Sequence, residues 1–159
     1  MLWLLLSATP ALSDQLPAPT GRVLLTISGN IEHTNDGDTI KMDLAMLESL
    51  EATSITTDSP WTDEPTKFTG VRISHLLEYI GANSNEFRAS AIDKYWNDLL
   101  DMDFESVPAI IAYKKNDKYM RIRDLGPLWI MFPFDQFPEL LTEKYKTASV
   151  WQLIGIEVH

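Results

Sequence analysis

The chain is expected to fold as an α+β domain built on mixed β-sheets with short helices, and three observations carry that expectation. Short apolar and β-branched runs recur along the sequence, each bounded by turn residues. The helical patterns between them are only one or two turns long and bring their own caps. No internal repeat, low-complexity tract or second domain boundary interrupts the series. At 159 residues, with 45% hydrophobic and 10% aromatic content, one domain can bury a real core.

Before the first strand, Leu2–Leu6 is a short apolar run, and Ala11-Leu12-Ser13 supplies small residues at the −3 and −1 positions of a cleavage site. The expectation is a secretory signal peptide over residues 1–13, truncated at its start because no Lys or Arg precedes the run. The run is too short to span a bilayer. The polar, Pro-rich residues 14–22 read as a linker, leaving 23–159 as a single domain.

Val23–Gly29 is a strong strand, followed by a polar turn with Asp36-Gly37, a hairpin signal, and by a partner at Thr39–Met42. Asp43 can cap a short helix, Leu44–Leu50. Ser54–Thr57 is β-branched and reads as a strand, and Asp58–Lys67 as an acidic, Pro-rich loop centred on Trp61. Ser74 is placed as the cap of a helix over Leu76–Ile80 that Gly81 ends. Phe87–Ile92 and the near-continuous apolar Pro108–Lys114 are strands, and Asn116-Asp117 turns the latter back on Tyr119–Ile122. Trp129–Phe132 and Leu153–Val158 complete the set.

The net charge of −10 argues against nucleic acid and anionic membrane surfaces as partners, since phosphate binding needs a basic face. No Lys/Arg cluster is expected to escape that sign. The absence of cysteine excludes disulfides, thiolate metal sites and cysteine nucleophiles. His33, His75 and His159 fall in a turn, near a helix start and at the last residue, with no metal-ligand spacing. Asp36-x-Asp38 looks like a fragment of a calcium loop but lacks the downstream bidentate Glu, so solvated turn acids are the better reading. There is no G-x-S-x-G, no Gly-rich phosphate loop, and no carboxylate pair whose surroundings obviously split its pKa values.

What remains is aromatic and loop-borne. In RDLGPLWIMFPFDQFP, Arg123–Pro138, a Gly126-Pro127 turn delivers Trp129 into an apolar strand. Pro60-Trp61-Thr62-Asp63 sets an indole beside hydroxyl and carboxylate groups, and Asp93-Lys94-Tyr95-Trp96 offers the same mixture. Two indoles and an Asp acceptor suit a flat, nitrogen-rich heterocycle, with stacking for energy and a carboxylate for the N–H edge. The competing reading is plain packing, with Trp129 an ordinary core residue and each loop aromatic a lid on its own cluster.

The order Phe68-x-Gly70-Val71-x-x-x-x-Leu76-Leu77, Ala91-x-Asp93-x-Tyr95, Pro108–Tyr113, Gly126-Pro127 with Ile130-x-x-Pro133, and Trp151-x-x-x-x-Ile156-x-Val158 resembles the sulfite-oxidase-like molybdopterin-binding domain. The resemblance runs from about Val23 to Val158. It implies a mixed α+β fold with a pterin held among loops. Enzymes of that family ligate molybdenum through one cysteine just before the F-x-G-V motif, where this chain has Thr56-Thr57-Asp58-Ser59-Pro60-Trp61. They also tend to carry an Arg after the Gly/Pro turn, where this chain has Trp129. Losing thiolate and guanidinium together argues against oxyanion redox chemistry.

A short, exported, cysteine-less branch with P-W-T and G-P-L-W segments looks like the periplasmic pterin-binding proteins linked to transmembrane sensors of cyclic di-GMP signalling. That resemblance implies a non-enzymatic, periplasmic protein that binds a reduced, unconjugated pterin without molybdenum and passes the signal to a membrane partner. Trp61 and Trp129 would flank the ring, Asp93 or Asp63 would accept from its N–H edge, and Tyr95 and Arg123 would contact its side chain. The alternatives are a molybdopterin oxidoreductase with Asp58 or Ser59 as metal ligand, and an interaction module that kept only the fold.

Overall fold

The computed structural model describes residues 15–159, so the expected signal peptide lies outside the described residues. Two five-stranded sheets share one hydrophobic core. The strands are β1 (Val23–Gly29), β2 (Ile40–Asp43), β3 (Ala52–Thr57), β4 (Thr66–Arg72), β5 (Phe87–Ala91), β6 (Trp96–Leu99), β7 (Ile110–Lys115), β8 (Lys118–Tyr119), β9 (Trp129–Met131) and β10 (Leu153–Val158). Three short helices, α1 (Leu44–Ser49), α2 (Ile73–Tyr79) and α3 (Glu143–Ala148), lie between them.

The first sheet runs β2-β1-β10-β5-β6 and is mixed, because β10 returns parallel to β1 with Thr26 opposite Gly155 and Ile27 opposite Ile156. The second is antiparallel, β3-β4-β7, with β7 meeting two short strands along its far edge. Lys114 and Lys115 pair with β8, and Ile110–Ala112 pair with β9. Period-2 alternation sets which face is dry: Leu25 and Ile27 on β1, and Phe87, Ala89 and Ala91 on β5, all point into the core. Gly70 is required on β4, since a Cβ there would land on the carbonyl oxygen of Ile111 in β7.

Asp43 caps α1 as expected and also does more. Its Oδ1 accepts from the Met46 N–H at 2.9 Å, while Oδ2 accepts from Thr20 N–H at 2.8 Å and Gly21 N–H at 2.7 Å. The stretch expected as a linker is therefore tied down: Leu16 N–H donates to Thr34 O, and Asn35 Nδ2 donates to Pro17 O.

Several expectations are corrected. β4 was not expected, because TKFTGVR mixes Lys, Gly and Arg into its alternation, yet Phe68 and Val71 are fully buried. Ser74 is not a cap: α2 begins at Ile73, whose N–H donates to Ala109 O at 3.0 Å, so the segment just before β7 starts the helix. The return from the Asn116-Asp117 turn pairs only over Lys118–Tyr119 and then becomes a 3-10 turn, Ile122–Asp124. β6 and α3 also went unforeseen, being short and weakly patterned.

The three N–H donors, Met46 first, hold the Asp43 carboxyl below the usual carboxylate range. A depressed folded-state pKa contributes stability above the unfolded value and loses it as pH falls through the folded one. Urea melts at pH 7 and at successively lower pH should show this loss in the wild type. Asp43→Asn should start less stable at pH 7 and lose less on acidification, because the amide keeps one acceptor but not the charge.

Candidate functional site

Around Trp129 the chain gathers an aromatic cluster. The indole is fully buried, its Nε1–H donates to Ser149 O at 3.2 Å, and it meets Phe68, Trp61 and Trp151 edge-on at centroid distances of 5.4, 5.7 and 6.3 Å. Edge-to-face geometry is the favoured contact between such rings. β9 is paired along both edges. On the side away from β7, Ile130 N–H donates to Val150 O and Leu153 N–H to Leu128 O.

Trp61 closes the cluster from the Pro60–Thr62 turn, 5.9 Å from Trp151 and 6.3 Å from Phe134. Ser59 shapes that turn: its Oγ accepts from Trp61 N–H at 3.3 Å and pairs with Thr62 Oγ1 at 2.9 Å. The two partly buried indoles, Trp61 and Trp151, then form the wall of a pocket of about 290 Å³. Asp93, Tyr95, Lys146 and Thr147 complete its rim.

The β5–β6 turn presents Asp93 and Tyr95. Lys94 takes a left-handed conformation, φ 71°, and Asp93 Oδ1 accepts from Tyr95 N–H at 3.0 Å, which fixes the carboxylate at the rim. The Tyr95 hydroxyl donates to Thr147 O at 2.9 Å and so docks the turn on α3. Partial desolvation raises the phenol's pKa above its ordinary value.

Of the residues expected at the site, Trp61, Asp93 and Tyr95 converge on this pocket. Trp129 is placed behind it, with no exposed surface from which to flank a ring, and Trp151 lines the pocket instead. Asp63 is exposed on the loop and does not line the pocket. Arg123 belongs to another cleft, with Arg22 and Arg121. Trp151 precedes a strand just as Trp129 begins one, so the same edge-of-strand signal marked it. Lys146 and Thr147 were hidden because α3 was not foreseen.

The segment where the resemblance puts a metal-ligating cysteine does not fit molybdenum here. Thr57 is fully buried, its Oγ1 donates to Asp58 O at 2.8 Å and accepts from Asp135 N–H at 3.1 Å, and Ser59 is held by the Trp61 turn. Hydroxyls committed to backbone partners do not replace a soft thiolate. Among the described residues no group of three His, Cys, Asp or Glu side chains is arranged to hold a metal ion. The pocket has two indoles, at 69° to each other, on one side and polar groups at its rim.

The fold is α+β and of the sulfite-oxidase-like type. Among solved structures it is similar to the sulfane dehydrogenase SoxCD from Paracoccus pantotrophus, with a TM-score of 0.59 and 14% identity, covering 85% of this chain and 37% of that one. This chain thus spans well under half the length of SoxCD, and at that identity the likeness is one of fold alone. No protein-family model matches the chain, and no curated protein does.

A fully buried Trp and a partly exposed Trp differ in what their loss does. Trp129→Ala should lower unfolding stability by about 3–5 kcal/mol, the usual range for emptying a large aromatic site. Trp61→Ala, at the partly open edge of the cluster, should cost clearly less in the same denaturant melts.

Proposed function

We propose that this chain is a non-enzymatic binding protein for a reduced, unconjugated pterin. The observation that carries the reading is the pocket with Trp61 and Trp151 as its wall and the Asp93 carboxylate fixed at its rim. A reduced pterin keeps a flat pyrimidinone ring whose edge bears adjacent N–H donors. Indole contact supplies energy without desolvating charge, and Asp93 accepts from that edge. Tyr95, Thr147 and Lys146 stand at the rim to meet a hydroxylated side chain. In this reading the protein acts after export to the periplasm and reports pterin occupancy to a transmembrane sensor of cyclic di-GMP signalling. That part is supported by the leader-like sequence and the family resemblance.

Anaerobic titration of the purified chain with 6-hydroxymethyl-tetrahydropterin, followed by calorimetry and by tryptophan fluorescence, tests the site. Trp61→Ala and Trp151→Ala should each weaken binding by about 1–3 kcal/mol, the scale of base–aromatic stacking. Asp93→Asn should weaken it further at unchanged fold stability. A wild type that binds no pterin, or wild-type affinity in both Trp variants, would overturn the reading.

A further inference from the structure

The expectation that no basic cluster escapes the acidic balance is corrected by the β7–β8 hairpin. Of thirteen Lys and Arg residues, five fall within Lys114–Arg123: Lys114, Lys115, Lys118, Arg121 and Arg123. The fold adds two more. Lys67 on β4 is joined to the hairpin turn, its carbonyl accepting from Asn116 N–H at 2.8 Å, and Arg22 shares a cleft with Arg121, Ile122 and Arg123.

Few acids answer these seven cations. Asp117 pairs with Lys67 at 2.9 Å and Asp124 with Arg121 at 2.7 Å. Glu48 accepts from the Tyr119 hydroxyl, and the buried Asp43 is committed to backbone N–H groups. Among the described residues no carboxylate comes within ion-pair distance of Arg22, Lys114, Lys115, Lys118 or Arg123. The other nineteen of the twenty-three acids share the rest of the chain with six cations. Tyr119 and Ile122, half exposed at 52% and 48%, line two basic clefts that share Met120 and Arg121. Exposed Tyr and Arg side by side is the composition of interface hot spots.

We propose that the two adjoining clefts, one lined by Lys115, Lys118 and Arg121 and the other by Arg22, Arg121 and Arg123, dock an acidic segment of another protein, in which carboxylates alternate with apolar side chains. The carboxylates meet the unpaired lysines and arginines, and the apolar residues cover Tyr119 and Ile122. The limited extent of the patch selects this occupant. At physiological salt charges act over roughly 8 Å, so a short segment feels mainly the basic face. A membrane surface or a nucleic-acid duplex would extend past it onto the acidic flanks and be repelled. The proposal does not depend on what occupies the Trp61–Trp151 pocket.

The test uses the whole chain and a fluorescent twelve-residue peptide in which Glu alternates with Leu and Tyr. Anisotropy should show binding that weakens from 50 to 200 mM salt and falls about tenfold or more in Lys115→Glu/Lys118→Glu, as expected for charge pairs at an interface. Lys144→Gln, which removes a lysine on α3, should leave the affinity unchanged. Amide resonance shifts in the wild type should map to Lys114–Arg123, which keeps the test valid if the double variant is poorly folded. Absence of peptide binding, shifts mapping elsewhere, or tighter binding of phosphatidylglycerol vesicles or of a twelve-base-pair duplex would overturn the proposal.

Discussion

Because the Trp129 indole is dry on every side, with its one N–H bound to Ser149 O, β9 must be covered from all directions at once. β7 covers one edge, residues 149–153 cover the other, and Phe68, Trp61 and Trp151 pack against the ring. The segment on the second edge runs directly into β10, the strand that sits between β1 and β5 in the other sheet. A single buried side chain thereby ties the antiparallel sheet to the mixed one and fixes where the Pro60–Trp61 turn can lie. The pocket is the outer surface of that cluster, so its rigidity is inherited from the core and not built by its own rim.

The same economy governs polar groups. A buried hydroxyl or carboxylate is costly unless bonded, and the two buried side chains that matter most here are fully committed. Asp43 collects three N–H donors and pins the N-terminal stretch to α1, while Thr57 joins the end of β3 to Asp135. Thr57 stands in the segment where the sequence resemblance would place a metal-ligating thiol, and its hydroxyl is committed to backbone partners.

What the sequence made legible follows from how local each signal was. β1, β10 and the Asp43 cap could be read because alternation and capping are short-range patterns. β4 could not, since its polar residues face outward while its register is set by β3 and β7, far away in sequence. α2 was misplaced by one turn because Ala109 O, and not a capping side chain, starts it. At the site, Trp61, Asp93 and Tyr95 were found because each sits in a turn whose local chemistry exposes it. Trp129 misled for the opposite reason: the turn before it suggested presentation, and only tertiary contacts show that it is enclosed. The basic face was masked by a net charge that averages over the whole chain.

Pocket and basic face are not independent parts of the molecule. Gln152, next to Trp151 in the chain, holds a left-handed φ of 50°, an uncommon state for a residue with a Cβ. Its N–H donates to Leu125 O at 3.0 Å and its side-chain amide to Ile122 O at 2.8 Å. Both acceptors lie around the 3-10 turn that carries Arg123 and follows Arg121, and Leu125 is itself left-handed at φ 67°. Two residues in sparsely populated conformations, joined by two hydrogen bonds, thus connect the aromatic wall to the cationic turn. A displacement of Trp151 has little slack in which to dissipate, because Leu153 is anchored to β9 on one side and Gln152 to the turn on the other. The same pair of bonds ties the residue next to the wall to the basic turn.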